Sequence, residues 1–201
     1  MGEAELLSRA RKLVAEADKW RASANRVLNW ATIAVETPGN KLTDDALALV
    51  DRCFKINERT GKALKAADLV TIKGVFANVE AFFAEVIKGN GYLNVGPPIR
   101  PNDIAYAVVG GWAKKDKSGL TFVLAQCDTK KDVDLTDIIM HESIHFAGSI
   151  GHFDIGGDPS NPAYGAKVFA LTNAQAKTNA SSYAYFAYIA RLQSSQWATA
   201  T

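Results

Sequence analysis

Residues 140–154 read MHESIHFAGSIGHFD, and they hold His141, His145 and His152, the only three histidines of a 201-residue chain. The longer run DVDLTDIIMHESIHFAG, residues 132–148, has helical character, with Asp134 or Thr136 suited to an N-cap and Gly148 to a stop. On such a helix, residues four apart stand about 40° apart around the axis, so His141 and His145 project from one face, one turn above the other. Two imidazoles placed this way can grip a single ion. Glu142 follows the first of them directly, which sets its carboxylate beside the ion, where it can take a proton from water.

His-Glu-x-x-His on a helix is the spacing of zinc metallopeptidases, so the expected cofactor is Zn2+. A catalytic zinc takes three protein ligands and keeps a fourth position open. The residue six positions after His145 is Gly151, with a histidine one place later, and no glutamate follows Glu142 anywhere in the chain. The third ligand must then come from Asp154, Asp158, Asn161 or His152. All four stay open on the residues alone. The plainest competing reading of the whole stretch is a solvated polar helix face.

Bulk composition fits a water-soluble globular chain: 48% hydrophobic and 22% charged residues, with 23 basic against 21 acidic, for a formal charge of +2. That balance predicts no nucleic-acid partner and no attraction to a membrane surface. The N-terminal stretch MGEAELLSRARKLVAEADKW carries charges every few residues, so neither a signal peptide nor a membrane span is expected there; localisation stays open, secretion by another route included. Cys53 and Cys127 suit either one disulfide or two buried thiols.

The length suits a single domain over residues 1–201, with a helical N-terminal lobe over 1–90 and a catalytic lobe over 100–201. Leu6, Leu7, Ala10, Leu13, Val14, Ala17 and Trp20 recur at helical spacing. Thr43 is the expected N-cap of the next helix, and KALKAADLVTIKGVFANVEAFFAEVIKG makes a further amphipathic helix ending at Gly89. GNGYLNVGPPIRPND, residues 89–103, should interrupt regular structure. IAYAVVGGW and GLTFVLAQC are β-prone and read as a hairpin or two neighbouring strands. Beyond the histidines, PAYGAKVFALTNAQAKTNA and SSYAYFAYIARLQSSQW suggest two more helices, broken around Asn179.

The segments HESIHF, NPAYGAKVFAL and TNASSYAYFAYIA resemble the aspzincins, the deuterolysin and peptidyl-lysine metalloendopeptidase family. The family pattern joins H-E-x-x-H to a glycine-containing loop, an aspartate ligand within G-T-x-x-D-x-x-Y-G, and helices with N-A-x-S-Y-x-x-F-A. The likeness covers roughly residues 120–190. Matched backwards from Tyr164-Gly165, the family's aspartate falls on Asn161; matched forwards from His145, it falls on Asp154, which the resemblance favours as third ligand because zinc needs an anionic oxygen or an imidazole and a neutral amide binds it weakly, with Asp158 second and His152 third, a supporting or surface position being the commoner fate for such a histidine. The resemblance implies that Tyr164 donates a hydrogen bond to the oxyanion of the tetrahedral intermediate.

The expected fold is therefore α+β and mostly helical, zincin-like, with a helical N-terminal lobe, a small sheet and an H-E-x-x-H active-site helix. The expected function is a zinc endopeptidase with His141, His145 and Asp154 on the metal, Glu142 as general base and then acid, and Tyr164 at the oxyanion. Its partner would be a protein or peptide substrate, bound in extended form along an edge strand within residues 104–126. The alternative is a catalytically decayed zincin-like binding module, marked by Asn161. Tyr183, Tyr185, Phe186 and Tyr188 are expected in the core beneath the active helix.

Overall fold

The computed structural model describes residues 1–151 and 159–197; His152, Asp154 and Asp158 lie outside them. Over the described residues the fold is α+β and 64% helical, with one small three-stranded sheet. Helix α1, Glu3–Glu36, is the spine of the molecule, about 50 Å long at 1.5 Å per residue. Its buried residues recur every third or fourth position from Leu6 to Ala34, and many are alanines. So small a surface lets neighbouring helices come close along the whole length. Helices α2 (Lys41–Phe54), α3 (Lys62–Ile87), α5 (Asp132–Phe146) and α8 (Ala180–Leu192) all pack on it.

Helix α2 begins earlier than its sequence suggests. Asn40 is the N-cap, accepting a bond from the Leu42 N–H at 3.0 Å. Thr43 sits inside the first turn instead and donates its hydroxyl to the Asn40 carbonyl at 2.9 Å. The left-handed Gly39 just before it turns the chain so that Asn40 meets the orphan N–H groups first.

Strand β1 (Leu93–Val95) lies within the stretch expected to lack regular structure, between Gly89 and Asp103. It pairs parallel with β3 (Leu120–Phe122), and β2 (Ala105–Ala107) pairs antiparallel on the other side, giving the order β1-β3-β2. A three-residue parallel strand carries almost no local signal, because its partner is distant in sequence. Gly119 makes the pairing possible: it adopts φ +58°, and a Cβ there would overlap the Tyr92 backbone, whose carbonyl accepts from the Leu120 N–H at 2.8 Å. The β-prone run ending at Cys127 stops being a strand after Phe122 and closes with a single turn, α4 (Leu124–Cys127).

Past the histidines, three helices form where two were expected. After α6 (Pro162–Phe169), Thr172 and Gln175 build a reciprocal capping box that starts α7 (Asn173–Lys177). Asn179 then precedes α8. A buried polar knot ties α7 to the N-terminal helices: Asp68 accepts from Lys177 at 2.6 Å and from Asn173 at 3.0 Å, and Asn173 also donates to the Phe54 carbonyl.

One continuous apolar core runs from Leu6 to Trp197, so the helical lobe and the sheet-bearing half share an interior. Tyr183 and Phe186 are fully buried against Phe54 and Phe76, with ring centroids 4.9–6.1 Å apart. A second aromatic group, Phe82, Tyr92, Trp112 and Phe146, joins α3, β1 and the loop after β2 to the end of α5. Among the described residues no helix is long and apolar enough to cross a membrane.

Gly119→Ala combines a strained dihedral with a backbone overlap that no side chain can relieve. It is expected to destabilise the protein by about 1–3 kcal/mol, read as a lower urea midpoint.

Candidate metal centre

Helix α5 begins at Asp132 because Lys131 is the N-cap and Asp134, three residues on, accepts from the Lys131 N–H. The cap thus falls earlier than Asp134 or Thr136, and Asp134 serves from within the first turn. The helix ends at Phe146, two residues before Gly148, where a Cβ would press on Val75 and the Ile144 carbonyl. Its apolar residues Leu135, Ile139, Met140, Ile144 and Phe146 face the core. That burial fixes how the polar face points. The carbonyls of its last turn are met by the loop after β2, with the Gly110 N–H on His145 at 2.8 Å and the Trp112 N–H on Phe146 at 3.1 Å.

His141 and His145 turn their Nε2 atoms towards each other, 3.0 Å apart. Each Nδ1 is held from a different part of the chain: His145 Nδ1 lies 2.5 Å from the Ile150 carbonyl, and His141 Nδ1 lies 3.3 Å from Ser181 Oγ on α8. A carbonyl only accepts, so His145 carries its proton on Nδ1 and offers a lone pair at Nε2. Two imidazoles on a tetrahedral zinc, at about 2.0–2.1 Å each, bring their ligating nitrogens roughly 3.3 Å apart. The observed spacing is close to that, and the pair lies at the negative end of the helix dipole, which favours a cation. The described half of the site therefore fits zinc. Among the described residues no third histidine, cysteine or acid completes a metal-holding group.

Glu142 points to the other side of the pair, towards the sheet. Its carboxyl is pushed up to about 8, first by loss of hydration and then by the neighbouring Asp103, against the lowering effect of a hydrogen bond from the Ala107 N–H. That bond also reveals the sheet edge. The Val123 N–H donates to the Ile104 carbonyl at 2.8 Å, so Ile104 and Tyr106 turn their backbone groups to β3, while Ala105 and Ala107 turn theirs outwards. Strand β2 thus presents its outer edge beside Glu142.

Tyr164, on α6, is buried at 3% exposure, and its ring meets Tyr185 edge-on at 5.3 Å. Gly165 permits this closeness, since a Cβ there would collide with the Tyr185 ring and hydroxyl. The Tyr164 hydroxyl is hydrogen-bonded to Ser181, and its ionisation is driven well above the ordinary phenol range by burial and then by Asp137. Ser181 Oγ in turn lies 3.3 Å from His141 Nδ1. Asn161 is the N-cap of α6, its amide oxygen accepting from the Ala163 N–H at 2.9 Å. Its identity is explained by that cap. Asp154, Asp158 and His152 fall outside the described residues, so their positions relative to the pair are not part of this geometry.

Five contributors were not foreseen from sequence: the Ile150 carbonyl, Ser181, Asp103, the Ala107 N–H and Asp137. Asp137 alone left a trace, since Asp137, His141 and His145 succeed one another at four-residue spacing on one helix face. No protein-family model matches the chain, and no curated protein sequence matches it either.

The cysteines do not join the pair. Both are free and buried, with the Cys53 thiol pushed up to about 12 by burial and the Cys127 thiol also raised. A thiol reagent is therefore expected to label neither rapidly in the native protein and two per chain after unfolding, as read by absorbance or mass.

Proposed function

We propose that the chain is a zinc-dependent endopeptidase of zincin-like architecture. The observation that carries this reading is the convergence of the two Nε2 atoms, each ring anchored through its Nδ1, beside a carboxyl that burial has partly stripped of water. His141 and His145 would hold the metal, with Asp154 as third ligand. When bound there, zinc would supply Lewis acidity, which lowers the pKa of a coordinated water towards about 7 and polarises a carbonyl.

The chain's own residues do the rest. Glu142 takes the proton of the attacking water and passes it to the departing amine. The Ala107 N–H holds its carboxylate, so the base is aimed before substrate arrives. The Ala107 carbonyl and both backbone groups of Ala105 face outwards and offer an edge on which an extended peptide can pair, placing its scissile bond next to Glu142. The substrate class is an unfolded or extended segment of protein.

A second reading, a binding module without catalysis, is favoured by one observation: Asn161 stands where the resemblance would put an aspartate and is committed to a helix cap. Glu142→Gln separates the two. It keeps an oxygen for the Ala107 N–H but cannot accept a proton. Cleavage of an unfolded polypeptide such as casein should fall at least about 100-fold, with one zinc per chain retained; His145→Ala should lose the zinc. Equal inactivity of wild type and Glu142→Gln, with zinc bound in both, supports the binding module.

Asp154→Asn should weaken zinc binding much more than Asp158→Asn, as measured by competition with a chromogenic chelator. The reverse order would move the third ligand to Asp158.

A further inference from the structure

A cavity of about 360 Å3 lies between the end of α2, α6 and α8, and the chemistry proposed above does not use it. Its volume falls in the range of small-molecule sites. Much of its wall is apolar, with Pro162 and Phe169 from α6 and Ile189 and Leu192 from α8. Two polar groups meet that wall. The Arg52 guanidinium, in the last turn of α2, lies over the Phe169 ring, 4.1 Å from its centroid, and no acid among the described residues is paired with it. Stacking occupies the flat face of a guanidinium and leaves its in-plane N–H groups available to an anion.

The second polar group is the Tyr185 hydroxyl. Tyr185 is only 9% exposed, yet among the described residues its hydroxyl has no hydrogen-bond partner. The hydroxyl rests against Gly165, where a Cβ would collide with it. Pro162, Gly165 and Phe169 share one face of α6 by helical spacing, so the hydroxyl ends on the side of the cavity. Burial raises the ionisation of this phenol and the charge of Arg52 opposes that rise, which places the two groups within each other's field. A hydroxyl so enclosed and unpaired costs free energy until a ligand bonds it.

The geometry points to a binding site for a carboxylate carried on an apolar, ring-sized body. Arg52 pairs with the carboxylate through parallel N–H bonds, the Tyr185 hydroxyl donates to one of its oxygens, and the body lies against Pro162, Ile189 and Leu192. One guanidinium balances one negative charge, and an apolar wall penalises any further charge, so the ligand is a monoanion. A free aromatic acid and the C-terminal residue of a peptide both offer this chemistry. The site uses neither the histidine pair nor Glu142, so it stands apart from the peptidase reading.

Titration of the full chain with 3-phenylpropanoate, followed through 1H–15N amide shifts, tests it. Shifts are expected in residues 162–169 and 185–192. Arg52→Gln should weaken binding at least about 10-fold and Tyr185→Phe about 3–10-fold. Arg52 is exposed and phenylalanine keeps the ring of residue 185, so both variants retain the fold. The uncharged analogue 3-phenylpropanamide should bind at least about 10-fold more weakly than the acid. Tighter binding of N-acetyl-leucyl-phenylalanine than of 3-phenylpropanoate assigns the site to a peptide C-terminus, and weaker binding assigns it to a free acid. No shift at these residues with about 10 mM acid, an affinity unchanged by Arg52→Gln, or equal affinity for acid and amide overturns the inference.

Discussion

The site depends on one constraint: two imidazoles on adjacent turns of α5 cannot rotate freely, because each is anchored at Nδ1 by an oxygen from elsewhere in the chain. A histidine on a helix normally samples several rotamers, and a pair at four-residue spacing converges in only a fraction of them. Here the Ile150 carbonyl, just past the helix end, holds one ring, and Ser181, at the start of α8, holds the other. The relative placement of α5 and α8 therefore decides whether the nitrogens meet.

That placement is set by packing. α1, α5 and α8 share a core in which Tyr183 and Phe186 lie against Phe54 and Phe76, while Phe146 locks the end of α5 against Phe82 and Tyr92. Such interiors are close-packed and resist small sliding motions, so the polar face of α5 keeps its aim. The buried knot around Asp68 adds a directional tie between α7 and the helical lobe, holding the segment that leads into Ser181. The short sheet has a different task. It brings the edge of β2 alongside Glu142, and the Ala107 N–H gives that carboxyl its one fixed partner on the sheet side.

Much of this was legible along the chain where signals are local. The helical spacing of Leu6 to Trp20, the hydrophobic run of α3 and the four-residue interval of His141 and His145 each declare themselves within a few turns, and of the α8 aromatics expected in the core Tyr183 and Phe186 are fully buried there, while Tyr185 packs with Tyr164 and Tyr188 is partly buried. Signals that join distant residues were not legible. β1 has three residues and a parallel partner over twenty positions away, so only the Gly119–Tyr92 approach explains it. Asn40, the better N-cap residue, takes the cap from Thr43, accepting from the Leu42 N–H while the Thr43 hydroxyl donates to the Asn40 carbonyl. Ser181 lay inside a segment singled out for its family likeness, yet nothing in its own neighbourhood says that its hydroxyl would reach a histidine forty residues earlier. For Tyr164 the resemblance implies a role at the reacting carbonyl, while its burial against Tyr185 and its link to Ser181 come into view only once α6 and α8 are packed together.

Helix α5 thus presents different chemistry on two faces, with a converged imidazole pair on one and an acid beside the sheet on the other. The central claim is that a single divalent ion sits between those rings. Anomalous scattering at the zinc edge, from crystals grown with zinc, tests it most directly. The account predicts one strong peak about 2.0–2.1 Å from both Nε2 atoms, with a carboxylate from residues 152–158 completing the shell. A map with no peak there, or with the ion bound at a different set of side chains, would contradict it.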